Sequence, residues 1–251
     1  NGCDPQRRAR RAPRRRVALP LIGASMFRAT LRAATLAGIV AGVLLTALQA
    51  WSVAPLIRDA ERIEQAAGHE EAHDAWQPGT DTTRLAATVV ANVVLATGFA
   101  LMLAGVMALR GARGWRAGIA WGVAGYAVVF VAPSLGLPPS LPGVAEAPLS
   151  ARTAWWLLAV ACSAGGLALI VFGRGALRAL GVLLLVVPHA LGAPQPAVHD
   201  PQATSDLARA FVRNAYLANA ALWLVLGAIV GVLRATPSAR MHDVTPPSGV
   251  P

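Results

Sequence analysis

The chain alternates between long apolar runs and short polar segments that carry arginine. All runs but one hold 20 residues or more, and at about 1.5 Å per residue such a run can cross a hydrocarbon core of roughly 30 Å as a helix. The pattern predicts an all-α integral membrane protein, a bundle of six transmembrane helices, or five if the short run 177–191 is re-entrant. The runs cover residues 33–56, 85–109, 117–137, 153–172, 177–191 and 210–233.

Arginine is distributed unevenly over the segments between these runs. With six spans, 16 of the 22 arginines fall on the side that carries both termini, and 6 fall on the other side. Because cytoplasmic loops carry an excess of basic residues, we predict that both termini are cytoplasmic. Ten of the 12 acidic residues fall on the outer side, which predicts either a well-solvated face or a surface that collects cations.

The composition supports a membrane protein over other classes. Hydrophobic residues make up 55% of the chain and charged residues 14%, against roughly 25% charged residues in soluble domains. The net charge is +10 and all 22 basic residues are arginine, but they lie in short loops rather than in a basic soluble domain, so we predict no nucleic-acid partner. Cys3 and Cys162 are expected at different depths, so we predict no disulfide between them.

The two ends of the chain differ from the part between them. The first 16 positions hold seven arginines and two prolines, and Met26 then opens a well-patterned segment. We expect residues 1–25 to be a disordered basic tail upstream of a natural start at Met26. A polytopic membrane domain over residues 26–234 and a disordered tail over residues 235–251 follow. The alternative for the first segment is a signal peptide with residues 17–25 as its apolar core.

Three pairs of glycines are spaced four residues apart within apolar runs. Small residues at that spacing let membrane helices approach closely. We predict packing faces, within the chain, with a partner or in a homo-oligomer, at Gly38 and Gly42, Gly118 and Gly122, and Gly227 and Gly231.

The fifth run ends in a cluster of proline and glycine around His189. Proline lacks the backbone donor and clashes with the preceding turn, so a regular helix cannot continue through Pro188, Gly192 and Pro194. His189 is the one ionisable side chain at membrane depth, and we predict it as a metal ligand. The third run ends similarly, at Pro133, Gly136 and Pro138.

The two broken ends suggest an internal repeat in which runs two and three and runs four and five are related hairpins. Transporters place such breaks where substrate binds, so we predict that the two ends form one site. The alternative is that proline and glycine act here as ordinary helix stops.

The polar segment after the first run contains GHEEAHD, with two histidines four residues apart. On one helical turn both imidazoles would share a face, and imidazole with carboxylate suits cobalt, nickel or zinc. We predict a cation-collecting surface formed by His69, Glu70, Glu71, His73 and Asp74, with His199 and Asp200 from a later outer loop. The alternatives are a solvated acidic loop, or a metallohydrolase, which needs a third ligand and an open water site.

The polar residues within the spans are mostly uncharged, which argues against a carboxylate proton relay. Asn92 and Asn219 are candidate pathway residues. Tryptophans near the ends of the runs are predicted as interfacial anchors; they are Trp51, Trp76, Trp115, Trp155, Trp156 and Trp223.

Several segments together resemble the proposed cobalt transporter subunit CbtA family. They are MFRATLRAATLAGIVAGVLLTAL from Met26, APSLGLPPSLPG from Ala132, ARTAWW from Ala151, VPHALGAPQP from Val187, and residues 211–227. The resemblance covers residues 26–233. It implies a bacterial membrane protein of about five spans, one fewer than our count, associated with cobalamin control and accompanied by a small histidine-bearing membrane subunit, CbtB.

With this resemblance, the sequence predicts a subunit of a divalent-metal uptake transporter in the bacterial cytoplasmic (inner) membrane, and not an enzyme. The transported ion is Co²⁺, with Ni²⁺ or Zn²⁺ as alternatives, and no permanent cofactor is expected. The lipid bilayer and a CbtB-like subunit are the predicted partners. We expect the outer acidic loop to gather the ion and His189 to receive it, helped by Asn92 or Asn219. The alternative is a non-transporting scaffold subunit that docks a small partner through its glycine pairs.

Overall fold

The computed structural model describes residues 18–66, 81–142, 144–196 and 205–235, which are helical apart from short connections and contain no strand. The predicted all-α class is confirmed. The helices are α1 (Ala18–Ser52), α2 (Ala54–Ala66), α3 (Asp81–Leu109), α4 (Trp115–Tyr126), α5 (Ala132–Ser134), α6 (Leu149–Phe172), α7 (Ala176–Leu191) and α8 (Ser205–Ala235). A π-helical segment, Ala127–Val131, joins α4 to α5.

Five stretches of the described residues are long and apolar enough to cross a membrane. They are Phe27–Ser52, Thr82–Leu109, Trp115–Ser134, Leu149–Phe172 and Asp206–Ala235. The remaining apolar helix, α7, has 16 residues and a length of about 24 Å.

Helix α7 runs along nearly the whole of α6. Gly181 of α7 lies against the backbone of Gly166, and further on the carbonyl of Pro188 meets Trp155, near the beginning of α6. The chain therefore returns from the C-terminal end of α6 almost to its N-terminal end. This path favours a full crossing by α7 over a re-entrant segment, and such a crossing would bring the five long spans to six.

The first helix differs from the predicted first run, which covered residues 33–56. Helix α1 begins at Ala18, upstream of Met26, and ends at Ser52, and the chain turns at Val53 before α2. Pro55 follows at the second position of α2, where its missing amide hydrogen costs no helical bond. Helix α2 was not predicted; Ala60 on its apolar face packs with Val53, Leu141 and Phe211.

The helices form two packing groups. Helices α1, α3, α4 and α8 surround a core in which Trp223, Leu226 and Met107 are fully buried. Helices α6 and α7 pack chiefly on each other, and α6 reaches the first group through the π-helical segment and α5. Because α3 packs chiefly on α1 and α4 on α8, the packing does not support the idea that runs two and three form a hairpin like that of α6 and α7.

The bundle has an arginine-rich end and an acid-rich end. At the first, the guanidinium carbon of Arg110 lies 3.3 Å from the ring centroid of Phe172, and the amide of Gly114 donates to the carbonyl of Gly231 at 2.9 Å. At the second, the side-chain amide of Asn214 donates to the carbonyl of Ser52 at 2.8 Å. Every acidic residue in the described ranges lies at or beside this second end.

Two of the predicted glycine pairs lie against each other where α4 crosses α8. A Cβ on Gly118 would overlap the carbonyl oxygen of Gly227, and a Cβ on Gly227 would overlap that of Gly118. The other members of these pairs, Gly122 and Gly231, lie equally close to the backbone of the opposite helix. Only glycine permits this separation between the two helices.

The third pair also packs within the chain. Gly38 lies against Thr97 and Gly42 against Val93, both on α3. Gly166 of α6 and Gly181 of α7 also lie against each other, and this contact was not predicted. Neither glycine has a second glycine four residues away in its own helix, so the sequence pattern did not mark it.

The tryptophans divide into two classes. Trp51 and Trp115 are exposed near helix ends, as interfacial anchors are. Trp155 and Trp223 are buried, so the prediction of an interfacial position is wrong for these two. Trp223 packs in the core against Phe99, with 4.8 Å between the ring centroids.

Candidate functional site

Helix α7 ends at Leu191 and Gly192, within the predicted proline and glycine cluster, and Trp155 contacts that end. The helix passes through Pro188, however, so the prediction that it stops at this proline is wrong. Gly192 adopts a left-handed φ of 81°, which favours glycine, and its amide donates to the carbonyl of His189 at 3.2 Å. In a continuing helix that amide would bond to the carbonyl of Pro188. The Pro188 carbonyl instead accepts a hydrogen bond from Nε1 of Trp155 at 3.2 Å.

The imidazole of His189 packs edge-to-face on the indole of Trp155. The ring centroids are 5.9 Å apart and the planes are inclined at 68°, and the histidine is half-buried. No group of three or more His, Cys, Asp or Glu side chains that could hold a metal ion occurs in the described ranges. His189 is therefore a single candidate ligand there, and further ligands would have to come from elsewhere.

The third run ends at the same tryptophan. The π-helical segment Ala127–Val131 leads into Pro133, which is buried, and the chain turns at Gly136, whose amide donates to the Pro133 carbonyl at 3.1 Å. A Cβ on Gly136 would overlap the indole of Trp155. The two broken ends thus lie together, each in contact with one side chain of α6.

A cavity of about 540 Å³ opens beside this junction. Its wall includes residues 136–140 of the first break and 194–196 after the second, so Gly136, Pro138 and Pro194 all line it. Pro133, Pro188 and Gly192 do not line it. The cavity lies at the acid-rich end of the bundle.

The polar part of the cavity wall is centred on Glu146. Ser140 donates a hydrogen bond to the Glu146 carboxylate, and Arg152 forms an ion pair with it. The sequence did not single out these residues. The signal available was weak: an acidic residue in a proline-rich loop, followed six positions later by an arginine in the first turn of a helix.

The two asparagines predicted as pathway residues lie apart from His189. Asn92 is buried between α3 and α1 and donates to Oγ1 of Thr46 at 3.0 Å and to Oε1 of Gln49 at 2.7 Å. Asn219 donates to the carbonyl of Ala215 on its own helix at 3.0 Å.

The predicted cation-collecting residues lie outside the described residues. They are His69, Glu70, Glu71, His73 and Asp74, with His199 and Asp200 from the later loop. Their role therefore stays a prediction.

The long apolar helices define a polytopic membrane protein. The family model described as probable cobalt transporter subunit (CbtA) matches residues 27–235. The chain belongs to this family, which confirms the resemblance that the sequence segments indicated. Comparison with curated proteins and with solved structures finds no significant match.

Proposed function

We propose that this chain is the membrane subunit through which Co²⁺ enters a bacterial cell, working with a small histidine-bearing membrane subunit. In this proposal the protein lies in the cytoplasmic membrane with its arginine-rich end inside. The asymmetry of arginine supports that orientation, because basic residues accumulate on the cytoplasmic side. The acid-rich end then faces the periplasm, from which an imported cation comes.

The observation that carries the proposal is the junction at Trp155. Two helix ends from distant parts of the chain, one at Gly136 and one just after Pro188, contact the same indole, and His189 packs on it. If these were ordinary, unrelated helix stops, we would not expect both to contact one buried side chain next to a cavity. Unwound backbone at membrane depth is tolerated where it is buried in protein or lines a cavity, and transporters use it to bind ions.

We infer an order of events from the position of these groups. The outer loop with His69 and His73 gathers the ion, and the cavity at the acid-rich end admits it. His189 then takes it as a nitrogen ligand, which suits a borderline ion such as cobalt. Trp155 contacts both Gly136 of the cavity wall and His189, so this indole has to move, or the ion has to pass it, during transfer.

One argument for the alternative, a non-transporting scaffold subunit, no longer holds. It relied on glycine pairs that dock a partner, whereas all three pairs pack against helices of the same chain. A hydrolase centred on His69, Glu70 and His73 rests on residues outside the described ranges, and no observation favours it.

The test is accumulation of ⁵⁷Co²⁺ by cells that express the chain with and without its partner subunit. Three variants are compared with wild type at equal membrane levels: His189→Ala, the double variant His69→Ala and His73→Ala, and Leu191→Ala. Leu191 is an exposed neighbour at the end of α7 and controls for damage to that end.

We expect uptake by wild type and by Leu191→Ala, a loss of at least about tenfold in His189→Ala, and a higher half-saturating cobalt concentration in the double variant. Uptake by His189→Ala equal to wild type contradicts the role of that histidine. No uptake by any form, with folded protein and partner present, contradicts cobalt import itself.

A further inference from the structure

The wall of the cavity at the acid-rich end contains an ion pair whose arginine has one N–H group without a hydrogen-bond partner among the described residues. Glu146 and Arg152 are ion-paired across its wall, and each is about two-thirds buried. The Nε atom of Arg152 is buried and has no hydrogen-bond partner in the described part of the chain. A guanidinium has five N–H donors, and a buried donor without a partner is costly.

The pairs at the other described arginines of this end differ from this one. Arg62 and Asp59 on α2, like Arg209 and Asp206 on α8, are exposed and three residues apart on one helix. Arg84 of α3 pairs with Glu61 of α2 at 3.6 Å, but neither residue lines the cavity. Glu146 and Arg152 instead join the proline-rich loop to the first turn of α6, and both line the cavity. The Glu146 carboxylate therefore faces a space that is large enough for a hydrated ion. Its present partner, Arg152, leaves one N–H donor without a hydrogen bond to any residue that the structure describes.

We propose that Glu146 is an entrance ligand for a divalent cation and that Arg152 is the counter-cation that the ion displaces. This inference rests on the proposed function and adds to it a site that the outer loop and His189 do not include. Ser140, which already bonds to Glu146, supplies a hydroxyl oxygen beside the carboxylate. Cobalt accepts such oxygen ligands together with water, and a carboxylate binds it in its ionised form.

The displacement explains the unsatisfied donor. While the site is empty, Arg152 balances the charge of Glu146 beside an apolar wall, because an unpaired charge there would be costly. When a divalent cation arrives, the like charge of the guanidinium opposes it, so Arg152 swings away and exposes Nε to water. Binding is consequently weak, as required of a site that passes its ion onward.

The two residues have opposite effects on affinity. Removing the carboxylate in Glu146→Gln takes away a ligand and a negative charge, so cobalt binds more weakly. Removing the competing charge in Arg152→Gln leaves the carboxylate free for the metal, so cobalt binds more tightly. A merely structural ion pair predicts no such opposition, because losing either partner disturbs the same contact.

The experiment is equilibrium binding of ⁵⁷Co²⁺ to the full-length chain purified in detergent micelles. Glu146→Gln, Arg152→Gln, Arg152→Lys and the control Arg209→Gln are compared with wild type, with the unfolding temperature of each as a check on folding. We expect about tenfold weaker binding for Glu146→Gln and several-fold tighter binding for Arg152→Gln. Arg152→Lys and Arg209→Gln should resemble wild type.

Equal binding by wild type and folded Glu146→Gln overturns the inference, and so does weaker binding by folded Arg152→Gln. Absence of saturable binding in both wild type and Arg152→Gln overturns it as well. Failure of the proposed function is distinct, since it appears as absent ⁵⁷Co²⁺ uptake in cells. If wild type imports cobalt and Glu146→Gln binds and imports it equally well, the entrance-ligand role of Glu146 is contradicted while the proposed import function stands.

Discussion

The indole N–H of Trp155 donates to the carbonyl oxygen of Pro188 across 33 positions of sequence. This bond gives a partner to a carbonyl that the end of α7 leaves without its helical amide. It also gives the buried indole the hydrogen bond that tryptophan needs away from water. One contact therefore sets both the depth at which α7 ends and the place where His189 stands.

Replacing Trp155 with phenylalanine tests this contact. The phenyl ring keeps much of the packing but has no donor, so the Pro188 carbonyl loses its partner. We expect Trp155→Phe to lower the free energy of unfolding by about 1–2 kcal/mol and to reduce cobalt uptake per molecule in the membrane. Stability is measured by SDS titration in mixed micelles and uptake with ⁵⁷Co²⁺.

The adjacent Trp156 is the matched control. It is more exposed and lines the cavity without an indole hydrogen bond among the contacts of the described residues. Trp156→Phe should therefore change stability by less than about 0.5 kcal/mol. Equal effects of the two substitutions would show that the bond to Pro188 has no special role.

The crossing of α4 and α8 gives a second prediction. Gly118→Ala places a methyl group against the Gly227 carbonyl, so the helices must separate, at a cost of about 1–3 kcal/mol. Gly105→Ala is the control, because a Cβ at that position meets nothing within 4 Å. There we expect no loss, or a gain of up to about 1 kcal/mol from helix propensity. SDS titration of both variants decides, and a stable Gly118→Ala would refute the close approach.

Sequence alone predicted the helical class and the long apolar helices, because apolar length is a local property. It placed a helix stop at Pro188, whereas α7 passes through that residue and ends at Leu191. It did not predict which helices pack together, since the spacing of Gly118 and Gly122 marks a face without naming the helix opposite. Helix α2 was missed because Val53 interrupts an apolar run that looked continuous. The roles of Trp155, Glu146 and Arg152 depend on contacts between distant segments, which no local pattern reveals.

The polar contact between α1 and α3 supports a third prediction. Asn92 donates to both Thr46 and Gln49 in a buried interface, and hydrogen bonds between membrane helices average about 0.6 kcal/mol each. Asn92→Ala should cost about 1–2 kcal/mol of unfolding free energy, with uptake per folded molecule unchanged. Asn219→Ala, which removes only a bond within α8, should be close to neutral. Lost uptake in a well-folded Asn92→Ala would instead place this residue on the ion path.

The number of crossings is open to a direct test at the two ends of α7. Arg174 precedes this helix and Gln195 follows it, and both are exposed. Each is replaced by cysteine in a chain from which Cys3 and Cys162 have been removed, and a membrane-impermeant maleimide is applied to right-side-out and inside-out vesicles. Because α7 runs from one end of α6 almost to the other, we expect Arg174→Cys to react only in inside-out vesicles and Gln195→Cys only in right-side-out vesicles. Reaction of both from the same side would contradict a full crossing by α7 and with it the count of six crossings.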